Sequence, residues 1–114
     1  MNNKIKGKLA EDLAIDFLKN NNFKIIEKNF KFHNYGEIDI IAEKNKILNF
    51  IEVKSLTKSY YFLPEFHFDK AKFNKIYKIA SFYANQKNYD KWIISLICVI
   101  LKTKQINYYE NVKL

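Results

Sequence analysis

Two short segments carry side chains able to do chemistry together. They are Gly36-Glu37-Ile38-Asp39-Ile40-Ile41-Ala42 and, further on, Phe50-Ile51-Glu52-Val53-Lys54. Residues two apart on a strand point to the same side. Glu37 and Asp39 are therefore expected on one face, and Glu52 and Lys54 on one face of the next strand. Ile38, Ile40, Ile51 and Val53 would take the opposite face and anchor it in the core. If a hairpin register brings the polar faces together, three carboxylates and one ammonium converge on a rigid sheet. Carboxylate oxygens with room for water are what Mg²⁺ or Mn²⁺ binds. Such a cation polarises a phosphate and makes a bound water acidic. A lysine beside it can hold the nucleophilic water and offset charge developing on phosphorus. An isolated Glu-x-Lys on a strand is most often only a solvated face. Here, however, the charges of Glu52 and Lys54 interrupt the apolar run Ile47-Leu48-Asn49-Phe50-Ile51. Gly36 also opens the acidic strand, where a turn or close backbone approach would need it.

The elements that must position these groups are legible from periodicity. From Lys8 to about Asn20, Leu9, Ala10, Leu13, Ala14, Ile15, Phe17 and Leu18 sweep one apolar arc of a helix, with Asp12, Asp16 and Lys19 opposite. Glu11 falls inside that arc. It either reaches solvent from the arc's edge or points over the sheet toward the acidic strand, since a carboxylate on a buried side needs a partner. Asn20-Asn21-Asn22 stops the helix, Phe23 to Phe32 reads as a strand, and Glu37 to Ala42 with Ile47 to Lys54 as an antiparallel hairpin. After a loop from Ser55 to Pro64, a second helix runs from Glu65 or Asp69 to Gln86. Its arc holds Phe68, Phe73, Ile76, Ile79, Ala80, Tyr83 and Ala84, and Lys72 intrudes on it; snorkelling along its stem is the plain account. Trp92 to Leu101 is an apolar strand suited to a sheet centre, and Gln105 to Tyr109 could add an edge. The order α-β-β-β-α-β specifies an α/β domain with a mixed central sheet and helices packed on it.

A chain of 114 residues, 48% hydrophobic and 17% aromatic, is expected to be a single domain spanning 1–114. The run Trp92–Leu101 is too short to span a bilayer, so no membrane partner is expected. The first residues lack the apolar core of a signal peptide, and the lone Cys98 suits a reducing compartment, so a cytoplasmic location is expected. The net charge of +8 comes from 20 basic residues against 12 acidic ones, and every basic residue is lysine. Codon drift in an A/T-rich genome explains lysine over arginine but not the surplus of cations. A polyanion, above all nucleic acid, is the expected partner. Without arginine, bidentate reading of guanine is disfavoured, and phosphate contact by lysine predominates. Lys4, Lys6 and Lys8, with Lys70, Lys75 and Lys78 of the second helix, are candidate phosphate contacts, and Tyr60, Tyr61 and Phe62 beside Lys58 could stack on unpaired bases. His33 and His67 lack ligand spacing, and Cys98, in an apolar strand, reads as a buried inert thiol.

The ordered series Gly7, Ala10-Glu11, Gly36 to Ala42, Phe50 to Lys54, then Lys72, Lys75, Ala80 and Tyr83 resembles the YraN family of small bacterial proteins. That family is similar to the PD-(D/E)-x-K nucleases and the archaeal Holliday-junction resolvases. The resemblance implies a restriction-endonuclease-like core and a Mg²⁺- or Mn²⁺-dependent endonuclease acting on structured or branched DNA, DNA being expected over RNA. It implies Asp39 and Glu52 as metal ligands, Lys54 as the catalytic lysine, Glu11 as a helix-borne carboxylate completing the metal shell, and Glu37 as a further member. Lys8, Lys72, Lys75, Tyr60 and Tyr61 are then expected to bind nucleic acid, and a homodimer would supply one site per strand. Lys75 stands where the family often has arginine, and Ser95 where it usually has aspartate. The alternative is a non-catalytic nucleic-acid-binding accessory protein that retains the nuclease fold.

Overall fold

The computed structural model describes residues 1–56 and 68–114. Helix α1 (Asn3–Asn20) begins earlier than the apolar arc suggested, because the Asn2 side chain accepts the Ile5 N–H at 2.9 Å and caps the first turn. Leu9, expected in the buried arc, is 40% exposed; the arc that packs is Ala10, Ala14, Ile15 and Leu18. The helix ends where the asparagine run predicts. Asn22 adopts φ 68°, and Phe23 N–H and Asn22 N–H donate to the carbonyls of Leu18 and Lys19. This is a Schellman ending with asparagine in the usual place of glycine. Helix α2 (Lys70–Gln86) is capped by Asp69, which accepts the Ala71 N–H at 2.8 Å, and closes in the same way through Asn88 at φ 62°.

The strands are β1 (Lys24–Phe32), β2 (Gly36–Lys44), β3 (Ile47–Leu56), β4 (Trp92–Ile100) and β5 (Gln105–Tyr109). They form one sheet in the order β1-β2-β3-β4-β5, antiparallel except for the parallel pair β3–β4 joined through α2. The fold is therefore mixed α/β in the expected element order, with the fifth strand added. The apolar β4 lies one place from the centre, which β3 occupies. Asn45 and Lys46, at φ 55° and 65°, make the two-residue turn between β2 and β3. One face of the sheet receives α1 through Ile40, Ala42, Ile51, Ile97 and Val99. The other receives α2 through Ile38, Ile41, Leu48, Phe50, Ile94, Leu96 and Cys98.

Strict alternation fails at one point. Ile38 packs on the α2 side and Ile40 on the α1 side, although they are two apart on the same strand. Strand β2 thus turns over at Asp39, and the expectation that Ile38 shares a face with Ile40, Ile51 and Val53 is corrected. The partner strand turns with it. Asn29 lies between the pairs Lys28–Ile40 and Phe30–Ile38 and adopts φ 50°, a left-handed conformation that asparagine tolerates better than most residues.

Candidate active site

The site begins where the β2–β3 ladder opens. The strands pair from Lys44–Ile47 to Ile40–Ile51, while β3 continues against β4 as far as Leu56. Beyond that opening the Val53 N–H donates to Asp39 Oδ2 at 2.8 Å. A carboxylate so replaces the missing strand partner of a backbone donor. Because β2 turns over here, Asp39 is sensed by groups on both faces of the sheet: Glu52 and Lys72 on the α2 side, Glu11 on the α1 side.

Glu52 is 5% exposed and lies within hydrogen-bond reach of Asp39. Its Oε2 forms an ion pair with Lys72 Nζ, and its Oε1 is buried without a partner. Burial, reinforced by the Asp39 carboxylate, pushes the Glu52 carboxyl up to about 8. Burial of Lys72 works to lower its affinity for the proton, but the Glu52 carboxylate outweighs it and holds the ammonium above its ordinary value. Lys72, read from sequence as a snorkelling lysine or a nucleic-acid contact, keeps a half-exposed side chain, in keeping with snorkelling, while its ammonium pairs with the buried Glu52 carboxylate.

Glu11 is half-buried, and its carboxyl is raised by burial, by Asp39 and by Glu37, against a hydrogen bond from Asn29. Glu11 therefore interacts with Asp39 and Glu37 while part of its side chain stays open to solvent. Glu37 is exposed and lines, with Glu11, Gly7, Lys8, Lys28 and Asn29, a cleft between α1 and the β1–β2 hairpin. Lys54 is exposed and lies opposite Cys98 on β4. Its charge acts to lower the Cys98 thiol, but burial prevails and pushes that thiol up to about 11, as befits an inert group. Lys8 is exposed and 3.9 Å from Asp12, and Lys75 lies over the Tyr35 ring. Gly36 is closely packed: a Cβ there would meet Ile79 Cδ1 at 3.1 Å, so that side chain would have to give by a few tenths of an ångström. Tyr60, Tyr61, Lys58 and His67 lie outside the described residues.

Among the described residues no three His, Cys, Asp or Glu side chains form a ready ligand group. The structure brings Asp39 and Glu52 together and leaves Glu11 and Glu37 within electrostatic range. Two adjacent carboxylates, one with a buried free oxygen, fit a hard divalent cation that keeps several of its waters. Sequence reasoning missed Asn29, although an asparagine that interrupts the apolar pattern of a strand was an available signal. It also missed a buried polar group on the opposite face of β3. There the Asn49 Nδ2 donates to the Tyr108 hydroxyl at 2.6 Å, and Ser95, also in hydrogen-bond contact with Tyr108, accepts the Asn111 N–H.

The model of uncharacterised protein family UPF0102 matches residues 10–103 of the chain. The protein belongs to the UPF0102, or YraN, family. A UPF0102 protein of Fervidobacterium nodosum is 45% identical over 96% of this chain and 83% of its own length. One from Aliarcobacter butzleri is 42% identical over 96% of both chains, and one from Campylobacter lari 45% identical over 83% of this chain and 80% of its own. The UPF0102 match takes in Glu11, Glu37, Asp39, Glu52, Lys54 and Lys72. No helix among the described residues is long and apolar enough to cross a membrane.

Proposed function

We propose that this UPF0102 protein is a divalent-metal-dependent endonuclease that hydrolyses phosphodiester bonds in structured or branched DNA. The observation that carries the reading is the Asp39–Glu52 carboxylate pair at the open end of the β2–β3 ladder, with Glu52 buried and one of its oxygens unpartnered. Asp39 and Glu52 would hold Mg²⁺ or Mn²⁺, with Glu11 and Glu37 completing or orienting the shell. When bound, the cation supplies a Lewis acid for the phosphate and an acidified water. The chain's own residues do the rest. Val53 N–H orients the Asp39 carboxylate. Lys72, from its half-exposed position, pairs with the buried Glu52 carboxylate. Lys54, exposed on the same face of β3 as Glu52, would hold the nucleophilic water and offset charge on the phosphate. The lysine surplus supplies affinity without base reading, so the substrate is chosen by shape. Two copies would place one site on each strand of a branched substrate, and the setting would be the cytoplasm.

The test is cleavage of branched, flapped and linear DNA with Mg²⁺ or Mn²⁺ by wild type beside Asp39→Ala and Lys54→Ala. Metal-dependent cleavage lost in both variants supports the assignment, and equal activity in all three proteins overturns it. A second reading, a nucleic-acid-binding accessory protein on the same fold, is favoured by one observation: Lys72 pairs with the Glu52 carboxylate and so competes with a cation for it. It predicts salt-sensitive binding with no cleavage, more sensitive to surface lysines than to Asp39.

A further inference from the structure

Gly7 lies within helix α1, at no positive φ, and a Cβ built there meets nothing within 4 Å. Glycine inside a helix is unfavourable relative to alanine, and here neither backbone conformation nor packing requires it. The contrast with Gly36, where a Cβ would press on Ile79, is direct. Nothing among the described residues therefore requires glycine at position 7. Gly7 forms part of the wall of the 540 Å³ cleft between α1 and the β1–β2 hairpin. Its neighbours there divide by charge along the helix. Lys4 and Lys8 flank Gly7, whereas Glu11 and Asp12 stand about one turn further on; Glu11 senses Asp39 and, with Glu37 of β2, forms the carboxylate end of the cleft. Lys28 faces them from β1. The only ion pair of these lysines among the described residues is the exposed Lys8–Asp12 contact, a weak competitor for a phosphate.

We propose that this cleft is the path by which a DNA backbone reaches the carboxylates, and that Gly7 is the point of closest approach between helix α1 and that backbone. The inference rests on the nuclease or nucleic-acid-binding reading and adds to it the docking surface and its direction. A side chain at position 7 would hold the sugar-phosphate chain away from Lys4, Lys8 and Lys28. Phosphate contacts would then be lost while the fold gains a better helix former.

Stability and binding should consequently move in opposite directions. The test compares wild type, Gly7→Ala and Gly7→Leu by thermal melting and by fluorescence anisotropy, with a labelled four-way DNA junction in low-salt buffer containing Ca²⁺. Gly7→Ala is expected to melt about 2–6 °C higher and to bind about tenfold more weakly. Gly7→Leu should bind more weakly still without melting below wild type. Junction binding equal to wild type in both variants overturns the cleft assignment while leaving the DNA reading intact. A melting point that falls together with affinity makes Gly7 a structural residue and also overturns it. Wild-type protein that binds neither the junction nor a linear duplex removes the nucleic-acid reading itself, and this inference with it.

Discussion

Strand β3 carries two buried polar residues three positions apart, and they face opposite ways. Asn49 looks toward α1 at the end where β2 and β3 are still paired, and Glu52 looks toward α2 just past the point where they separate. Each has an oxygen buried without a partner. The surroundings differ. Asn49 belongs to a neutral group with Tyr108 and Ser95 that ties β5 and the segment after it to the sheet. Glu52 is an ionisable group set beside a second carboxylate and one ammonium. A neutral amide short of one hydrogen bond costs a modest amount. A buried carboxylate beside another is far more costly unless a cation or proton compensates it. The comparison teaches that burial alone does not mark a site. Like charge held together by the backbone does.

The largest effect should fall on cleavage and on one cluster only. Asp39→Ala or Glu52→Ala is expected to lower metal-dependent DNA cleavage by about three orders of magnitude, whereas Tyr108→Phe leaves the rate within about twofold after correction for folded fraction. A comparable loss in all three would dissolve the distinction. Next in size, Lys54→Ala should reduce kcat by about a hundredfold with little change in junction affinity. If affinity falls instead of kcat, Lys54 is a phosphate contact like the surface lysines.

The neutral cluster should report on stability. Tyr108→Phe leaves Asn49 Nδ2 without its acceptor and is expected to cost about 1–3 kcal/mol by urea denaturation; no change would mean that the group is not a staple. The smallest effect is the pH dependence of the charged cluster. A carboxyl raised from 4.5 to about 8 holds its proton more tightly folded than unfolded. Its stabilising contribution is then complete below about 4.5 and is lost as the pH rises toward about 8. In EDTA the melting temperature of wild type should fall across that window more than that of Glu52→Gln, and Mg²⁺ should lessen the wild-type fall. Parallel curves for the two proteins would place the strain elsewhere.

Much of this was written in local pattern. The stop at Asn20-Asn21-Asn22, the Lys44–Ile47 turn and the burial of Phe73, Ile76, Ile79, Ala80 and Tyr83 follow from helix periodicity and from asparagine's tolerance of positive φ. Lys8 as the helix start and Leu9 as a core residue did not hold. Capping by Asn2, and which part of the arc the sheet covers, are not visible in an apolar arc.

The sequence by itself determined which residue types could do chemistry, the element order, the apolar faces and the basic charge. Those depend on neighbours a few residues away. Tertiary structure alone decided that β2 turns over at Asp39 beside the left-handed Asn29, so that Glu11 and Glu52 sense the same carboxylate from opposite faces. It also decided that Lys72 pairs with Glu52, while Lys54, nearer in sequence, stays exposed. The physical reason is that the energy of a buried charge depends on what the chain brings to it from far along the sequence, and a repeating pattern carries no record of that.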